Sequence, residues 1–324
     1  MHDTLARPPV KAGLGEYIRI ARFDHMTKHV FIIPGCVLAY ILRGVHTPSL
    51  LLSAVCGLLA AVTIASANYV INEYLDRDFD RHHPTKSQRM AVQTEMSGAI
   101  VWAEWALFVA IGLGAASIGG TTMLGAAIIF AAQGIVYNVP PLRSKNKAYL
   151  DVISESINNP LRLVIGWTII DPMTLPPSSV ILAYWLGGAF LMAAKRLSEY
   201  HEIVASHGKE LLMRYRASFA GYTELSLTLS CFVYAMLSGF FLAVFLIKYR
   251  VEYIITLPAI TALFAQYLAL SMQVESTAQK PEKLFRERGL MLTVAILSGL
   301  FVLATLVDMK PLDTLTSQHF IAVD

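Results

Sequence analysis

Long apolar segments alternate with short charged segments along most of this chain. A helix needs about 20 apolar residues to cross the hydrocarbon core of a bilayer, so runs without Asp, Glu, Lys or Arg mark candidate spans. Runs that hold one span each are 44–72, 172–194, 225–247, 253–274 and 289–307. The run 105–142 is long enough for two helices, and Gly119-Gly120 predicts a turn between them.

Two further spans are predicted from weaker patterns. The run 29–42 is short unless Lys28 and Arg43 extend their charged ends to the membrane surface. The segment 150–170 is apolar except for ionisable side chains, namely Asp151, Glu155 and Arg162. Ionisable groups inside a span are costly and usually face a cavity, so this segment also indicates function. The pattern therefore predicts an all-α integral membrane protein, a bundle of about nine transmembrane helices.

Composition agrees with lipid as the solvent. Hydrophobic residues make up 55% of the 324 residues, charged residues only 15%, and the mean hydropathy is +0.54. Soluble domains carry about a quarter charged residues. The net charge of +3 does not require nucleic acid as a partner, because basic loops of a membrane protein give the same excess. The cysteines, Cys36, Cys56 and Cys231, lie far apart in apolar stretches and imply neither a disulfide framework nor a metal site.

The basic residues predict the orientation. Of 26 Lys and Arg residues, 21 fall in the N-terminal arm and in the loops near 73–96, 143–150, 195–218 and 275–288. The positive-inside rule then places the N-terminus in the cytoplasm, and an odd number of spans places the C-terminus outside. We expect the protein in the cell inner (plasma) membrane. We expect an amphipathic interfacial arm over 1–28, a nine-helix domain over 29–308 and a short extracytoplasmic tail over 309–324.

The first acidic motif follows the second predicted span. Asn72, Asp76 and Asp80 recur at every fourth residue, so one helical face presents an amide and two carboxylates. Magnesium prefers a few carboxylates together with phosphate oxygens of a substrate, and this spacing suits a pyrophosphate-bearing ligand. Asp78 points off this face and is expected to be solvated.

Polar and cationic residues around this motif are candidate substrate ligands. Asn68 begins the segment, and His83, Lys86 and Arg89 follow within ten residues of Asp80. The cations are placed where they would hold phosphate groups that the metal does not contact. An ordinary basic cytoplasmic loop is the alternative explanation.

A second acidic motif lies on the polar fifth span. Asp151 and Glu155 are four residues apart, just after the basic stretch Arg143, Lys145 and Lys147. Two carboxylate pairs at cytoplasmic helix ends predict a two-magnesium pyrophosphate clamp, with Asp76, Asp80 and Asp151 as catalytic residues. Pro160 is expected to kink the span, and Arg162 needs either an acidic partner or a ligand phosphate. Further candidate substrate ligands are Tyr137, Lys147 and Lys195.

These motifs resemble those of the UbiA superfamily of intramembrane transferases over roughly residues 15–308. UbiA prenyltransferases carry N-x-x-x-D-x-x-x-D, which Asn72, Asp76 and Asp80 match, and D-x-x-x-D, which Asp151 and Glu155 match with one conservative change. The resemblance implies nine helices around Mg²⁺ and pyrophosphate.

Finer details are similar to the decaprenyl-phosphate phosphoribosyltransferases. The continuation H-P-x-K-x-x-R is present, as are Arg162 and Gly166 after Asp151, the pair Lys195-Arg196 and the basic Lys28. The branch normally has Asp where Glu73 stands and Pro where Met90 stands. This resemblance implies phosphoribosyl pyrophosphate and a polyprenyl phosphate lipid as substrates, with pyrophosphate released.

Two other functions stay open from the sequence. A UbiA-type prenyltransferase would use the same metal clamp to move an isoprenoid from a prenyl diphosphate to an aromatic or other acceptor. A membrane transporter would also place ionisable residues inside spans. A sugar phosphate needs cationic ligands that a hydrocarbon chain does not, so the basic loop favours phosphoribosyl transfer.

Overall fold

The computed structural model describes residues 10–83, 85–273, 284 and 286–312, without the side chains of residues 10 and 25–28. Several predicted features lie outside this part of the chain: Pro84, the side chain of Lys28, most of the loop 275–288, and the tail after Leu312.

Helices dominate the described residues. The α-helices are α1 (Leu14–Ile20), α2 (Ile33–Arg43), α3 (Leu50–Asp80), α4 (Met90–Gln93), α5 (Gly98–Gly119), α6 (Thr121–Asn138), α7 (Leu150–Ser156), α8 (Asn158–Ile170), α9 (Ser178–His207), α10 (Lys209–Tyr215), α11 (Glu224–Tyr249), α12 (Leu257–Ser271) and α13 (Arg288–Leu306). Short 3₁₀ helices are Phe23–Ile32, Lys86–Gln88, Ser144–Asn146, Ala217–Gly221 and Val251–Thr256. Two short strands, β1 (Val10–Lys11) and β2 (Thr94–Glu95), pair in parallel.

The structure confirms that the predicted apolar runs form long helices. Seven helices of the described part are long and apolar enough to cross a membrane: α3, α5, α6, α9, α11, Val251–Ser271 and α13. A shorter apolar helix covers His29–Arg43, and α7 with α8 covers the predicted polar span. The turn between α5 and α6 falls at Gly120, whose φ is +116°.

The polar span breaks earlier than Pro160. Its two helices meet at Ile157, and Pro160 lies in the first turn of α8. The first-turn N–H groups of a helix have no intrahelical partner, so proline is tolerated there, whereas inside one continuous helix it would clash with the preceding turn. The helix therefore restarts before the proline instead of bending at it.

The described residues form two compact units. The first contains the residues up to Pro176 together with Ser206–Tyr222, and the second contains Pro177–Ala205 and the residues from Thr223 onward. Both acidic motifs lie in the first unit. In the second unit, Ser238 donates a hydrogen bond from α11 to the Ala183 carbonyl of α9 at 2.8 Å, and Gln266 of α12 bonds to Thr293 of α13 at 2.9 Å.

The described part of the N-terminal arm packs against α3 within the first unit. Tyr17, Ile20 and Ala21 are buried in a cluster with Val70 and Ile71 of α3. The Tyr17 hydroxyl also accepts a hydrogen bond from the Ser97 N–H at 2.8 Å. Apolar residues of this amphipathic segment are thus used in protein packing.

Backbone contact between α2 and α8 depends on two glycines. A Cβ atom on Gly35 would overlap the Leu163 carbonyl oxygen, and a Cβ atom on Gly166 would overlap the Ile32 carbonyl oxygen. Small residues allow helices in lipid to approach this closely, where van der Waals packing supplies the attraction.

Substitution of Gly166 by alanine is expected to lower the melting temperature of the purified protein. The added methyl group meets backbone atoms, which cannot rotate away, and overpacking of this kind costs about 1–3 kcal/mol. Gly114→Ala is the matched control, because nothing lies within 4 Å of a Cβ atom at that helical position. Equal melting temperatures for the two variants would contradict the close α2–α8 contact.

Candidate active site

Helix α3 carries the first acidic motif on its final turns. Its 31 residues make it about 46 Å long, whereas the hydrocarbon core is about 30 Å thick. The apolar part is therefore long enough to span, and the last turns hold Asn72, Asp76 and Asp80. Asp78 leaves this face as predicted, with a side chain 70% exposed.

Asp76 is paired with two cations from the segment between α6 and α7. Its Oδ1 lies 2.8 Å from the Arg143 Nη2 and 2.6 Å from the Lys145 Nζ. The Asn72 amide donates to Asn138 Oδ1 at 2.6 Å, and Lys145 donates to the same oxygen at 2.8 Å. This network joins the end of α3 to the end of α6.

Lys145 is the most buried of these cations. Only 5% of its surface is exposed. Burial lowers the pKa of Lys145 to about 8, with Asp76 opposing the shift and the neighbouring Arg143 adding to it. The ammonium group is therefore held in a protein interior by a carboxylate that a divalent ion would also bind.

Asp80 faces a different cation. Its Oδ2 accepts a hydrogen bond from the Arg89 Nη1 at 2.6 Å, and the carboxylate is buried. Asp80 thus contacts the segment after α3, whereas Asp76 contacts the segment after α6, although the two positions differ by only about 40° around the helix axis. Glu73, also buried, accepts from the Ala91 N–H at 3.5 Å on this side.

An aromatic ring, that of Tyr215, contacts two residues of the predicted cationic loop. His83 lies with its ring centroid 4.4 Å from that of Tyr215, and the Lys86 ammonium lies 5.6 Å from the same centroid. The His83 Nδ1 accepts hydrogen bonds from the N–H groups of Thr85 and Lys86. Arg89 contacts Asp80 instead, so the three predicted phosphate ligands separate into two groups.

The two residues of the second motif have separate environments. Glu155 accepts a hydrogen bond from the Tyr137 hydroxyl at 2.8 Å, and Tyr137 directly precedes Asn138. Asp151 is fully buried and accepts from the Tyr222 hydroxyl at 2.7 Å and from the Ser218 hydroxyl at 3.1 Å. Tyr137 and Asn138 thus connect Glu155 to the network around Asp76.

Other predicted ligands take part in helix packing or lie on the surface. The Asn68 amide donates to the Phe130 carbonyl at 3.0 Å, and its side chain fills the space beside Gly134. The buried Arg162 donates to the Asn158 carbonyl at 3.1 Å and lies 4.9 Å from the centre of the Phe130 ring. Lys147 is exposed, and Lys195 belongs to the second unit. Their contacts with substrate stay predictions.

Sequence reasoning did not assign a site role to Arg143, Lys145, Asn138, Ser218 or Tyr222. Arg143 and Lys145 belong to the basic stretch directly before the second acidic motif, and this position could have indicated a role in the site. Asn138 adjoins the predicted Tyr137. Ser218 and Tyr222 lie far from both motifs along the chain, and no sequence pattern connects them to Asp151.

The donor atoms fit magnesium in an open site. Asn72, Asp76, Asp80 and Glu155 offer only oxygen donors, which this hard cation prefers, and it usually takes few carboxylates together with substrate oxygens. Within 10–83, 85–273, 284 and 286–312, no three His, Cys, Asp or Glu residues are grouped closely enough to bind a metal by themselves. The motif carboxylates contact protein partners in these residues, and the two-magnesium clamp stays a prediction.

Together these features define a multi-pass helical membrane protein with a mixed-charge site at the ends of its helices. Residues 30–306 match the UbiA prenyltransferase family. The chain belongs to this family.

Similar proteins include enzymes and a solved structure of the same fold. The chain is 28% identical over 189 residues to a lycopene elongase/hydratase of Haloarcula japonica, covering 56% of this chain and 61% of that protein. It is 27% identical over 176 residues to a protoheme IX farnesyltransferase of Geobacillus kaustophilus, covering 51% and 54%. The chain thus spans about three fifths or less of the length of these relatives.

A solved structure of a UbiA homologue from Archaeoglobus fulgidus, bound to GPP and Mg²⁺, superimposes with a TM-score of 0.66 at 22% identity. The match covers 90% of this chain and 100% of that one, and it establishes the fold. The finer resemblance to decaprenyl-phosphate phosphoribosyltransferases is not specifically supported by these comparisons and stays a prediction.

Proposed function

We propose that this protein transfers an isoprenoid chain from a prenyl diphosphate to an acceptor, with Mg²⁺ at its acidic motifs. The observation that carries the proposal is Asp76 held between Lys145 and Arg143 at the end of α3, in a chain of the UbiA prenyltransferase family. Carboxylates for a divalent ion and cations for a diphosphate stand side by side there. Family membership also favours group transfer over the transporter alternative.

The acidic residues would hold the metal. We assign this role to Asp76 and Asp80, with Asn72, Glu155 and Asp151 as the remaining predicted ligands. Bound Mg²⁺ supplies charge neutralisation for the leaving diphosphate. Because the carboxylates come from α3 and α7, they anchor the head of the donor at the helix ends while the apolar spans accommodate its hydrocarbon chain.

The cations would bind phosphate oxygens. When a divalent ion shares the Asp76 carboxylate, the Arg143 guanidinium and the Lys145 ammonium have charge available for the diphosphate. Both are fixed by further hydrogen bonds, Arg143 to the Leu75 carbonyl at 3.2 Å and Lys145 to Asn138. Donors held in advance stabilise negative charge on the leaving group at little reorganisation cost.

Phosphoribosyl transfer to a polyprenyl phosphate is the second candidate. The basic loop that contains Lys86 and Arg89 favours it, since a sugar 5-phosphate needs cationic ligands. The Asp80–Arg89 ion pair weakens this argument, because that guanidinium already neutralises a motif carboxylate.

One assay distinguishes the two donors. Purified protein receives a radiolabelled prenyl diphosphate with an aromatic acceptor, or radiolabelled phosphoribosyl pyrophosphate with polyprenyl phosphate, each with Mg²⁺ and with excess chelator. We expect labelled product from the prenyl donor, loss of that product on chelation, and recovery when Mg²⁺ is restored. Product only from the sugar donor would overturn prenyl transfer in favour of the second candidate.

The distribution of Lys and Arg along the chain is the basis for inferring which side of the membrane the site faces. We infer a cytoplasmic N-terminus and a site facing the cytoplasm from the inner (plasma) membrane. Labelling of a single cysteine at position 78, whose side chain is 70% exposed at the end of α3, in intact and opened cells tests this. Labelling in intact cells would contradict it.

A further inference from the structure

The environment of Asp151 links the second acidic motif to a distant part of the chain. Asp151 stands in the first turn of α7 and is fully buried. Tyr222 and Ser218, 71 and 67 residues later, donate hydrogen bonds to its Oδ1 and Oδ2 at 2.7 and 3.1 Å. Both donors belong to the segment Lys209–Tyr222, which we call the docking segment.

Tyr222 is itself fixed from several sides. Its hydroxyl accepts a hydrogen bond from the Tyr149 N–H at 2.6 Å, so the same oxygen bridges the start of α7 and the Asp151 carboxylate. Tyr149 has a φ of +66°, a conformation that non-glycine residues seldom adopt, and it directs that N–H toward the hydroxyl. Lys209 donates from its Nζ to the Tyr222 carbonyl at 3.0 Å, and the Phe219 ring packs at 6.2 Å.

We propose that Tyr222, assisted by Ser218, is a positioning residue for Asp151, and that the docking segment is therefore part of the active site. The proposal rests on the proposed function, in which Asp151 is a metal ligand. It adds that the Tyr222 hydroxyl, 71 residues later in the chain, sets the orientation of the Asp151 carboxylate.

Hydrogen bonding and metal binding by one carboxylate are compatible. A carboxylate has about four lone-pair directions, so one carboxylate oxygen can accept a hydrogen bond and also bind a metal ion. Hydrogen-bond partners of ligating side chains fix ligand orientation, and their loss typically reduces metal affinity about 10–100-fold. A tyrosine suits this role because its rigid ring, packed against Tyr149 at 5.3 Å, allows the hydroxyl little freedom.

The test measures Mg²⁺ binding and does not depend on enzymatic activity. The melting temperature of the purified full-length protein is followed against Mg²⁺ concentration at fixed inorganic pyrophosphate, because a ligand of the folded state raises it. Tyr222→Phe removes only the hydroxyl. Tyr17→Phe is the matched control, since that buried hydroxyl also accepts a backbone N–H but lies in the N-terminal arm.

We expect Tyr222→Phe to need about tenfold more Mg²⁺ than wild type for the half-maximal rise, with Tyr17→Phe unchanged. Ser218→Ala should give a smaller shift in the same direction, which keeps the test decisive if Tyr222→Phe folds poorly. In the Asp151→Asn background, Tyr222→Phe should not raise the Mg²⁺ requirement further, because Tyr222 acts through the Asp151 carboxylate that this background already lacks.

The outcomes separate this proposal from the one on which it rests. An unchanged Mg²⁺ requirement in both Tyr222→Phe and Ser218→Ala would overturn the positioning role alone. Full additivity of Tyr222→Phe with Asp151→Asn would do the same. No response of the wild-type protein to Mg²⁺ and pyrophosphate would overturn the proposed function together with this inference.

Discussion

Asp76→Asn and Asp80→Asn are each expected to lower the rate of prenyl transfer about a thousandfold. Metal stabilisation of a leaving group is worth several kcal/mol, and each factor of ten in rate corresponds to about 1.36 kcal/mol. Asparagine keeps the size of the side chain and one oxygen but removes the charge that binds a divalent ion. Initial rates at saturating Mg²⁺ measure the loss. Melting temperatures measured alongside show whether each variant is folded, which matters most at Asp76 because Lys145 and Arg143 lose their carboxylate partner.

Asp78→Asn is the internal control for this pair. Asp78 lies between the two on the final turns of α3, yet its side chain is 70% exposed and its described ion-pair partner is Arg81 at 3.9 Å. We expect its rate to stay within about threefold of wild type, since exposed pairs of this kind contribute little. Equal losses at positions 76, 78 and 80 would argue against a functional helix face.

Lys145→Met is expected to lower kcat/KM about a hundredfold. Methionine matches the length and apolar stem of lysine but removes the ammonium group that contacts both Asp76 and Asn138. Loss of one preorganised group that stabilises developing negative charge typically costs about 10²–10³ in rate. The fold should survive, because Arg143 remains 2.8 Å from the Asp76 carboxylate and keeps it paired.

Arg77→Met controls for the loss of a positive charge on the same helix. The described contacts of the Arg77 guanidinium are with Tyr74: it donates to the Tyr74 carbonyl at 3.3 Å and lies 4.2 Å from the centre of the Tyr74 ring. Its kcat/KM should stay near the wild-type value. If Lys145→Met and Arg77→Met behave alike, the cations near Asp76 have no special part in binding diphosphate.

The helical pattern was predictable because it depends on local sequence. Apolar run lengths gave the spans, the glycine pair gave the turn at Gly120, and the spacing of four placed Asp76 and Asp80 near one face while Asp78 faced solvent. The break at Ile157 was predicted at Pro160 instead. A proline is compatible with the start of a helix as well as with a kink, and sequence alone does not choose between them.

The partners of each carboxylate were not predictable from local patterns. Arg143 and Asp76 are 67 residues apart, and Tyr222 and Asp151 are 71 apart, so these contacts depend on how the helices of the unit pack. The packing of Asn68 beside Gly134, between α3 and α6, was likewise not predictable from the sequence, and its role as a substrate ligand stays a prediction. The short motifs resemble the phosphoribosyl branch, whereas the family match and the similar enzymes support the prenyltransferase family more broadly.

The position of a bound metal tests the central claim most directly. Crystals of the protein grown with Mn²⁺ and an unreactive thiolodiphosphate analogue of a prenyl donor would show the ion by its anomalous scattering. We predict a peak within about 2.1 Å of carboxylate oxygens of Asp76 or Asp80, with diphosphate oxygens beside Lys145 and Arg143. A peak remote from both carboxylates, with the analogue bound elsewhere, would contradict the account.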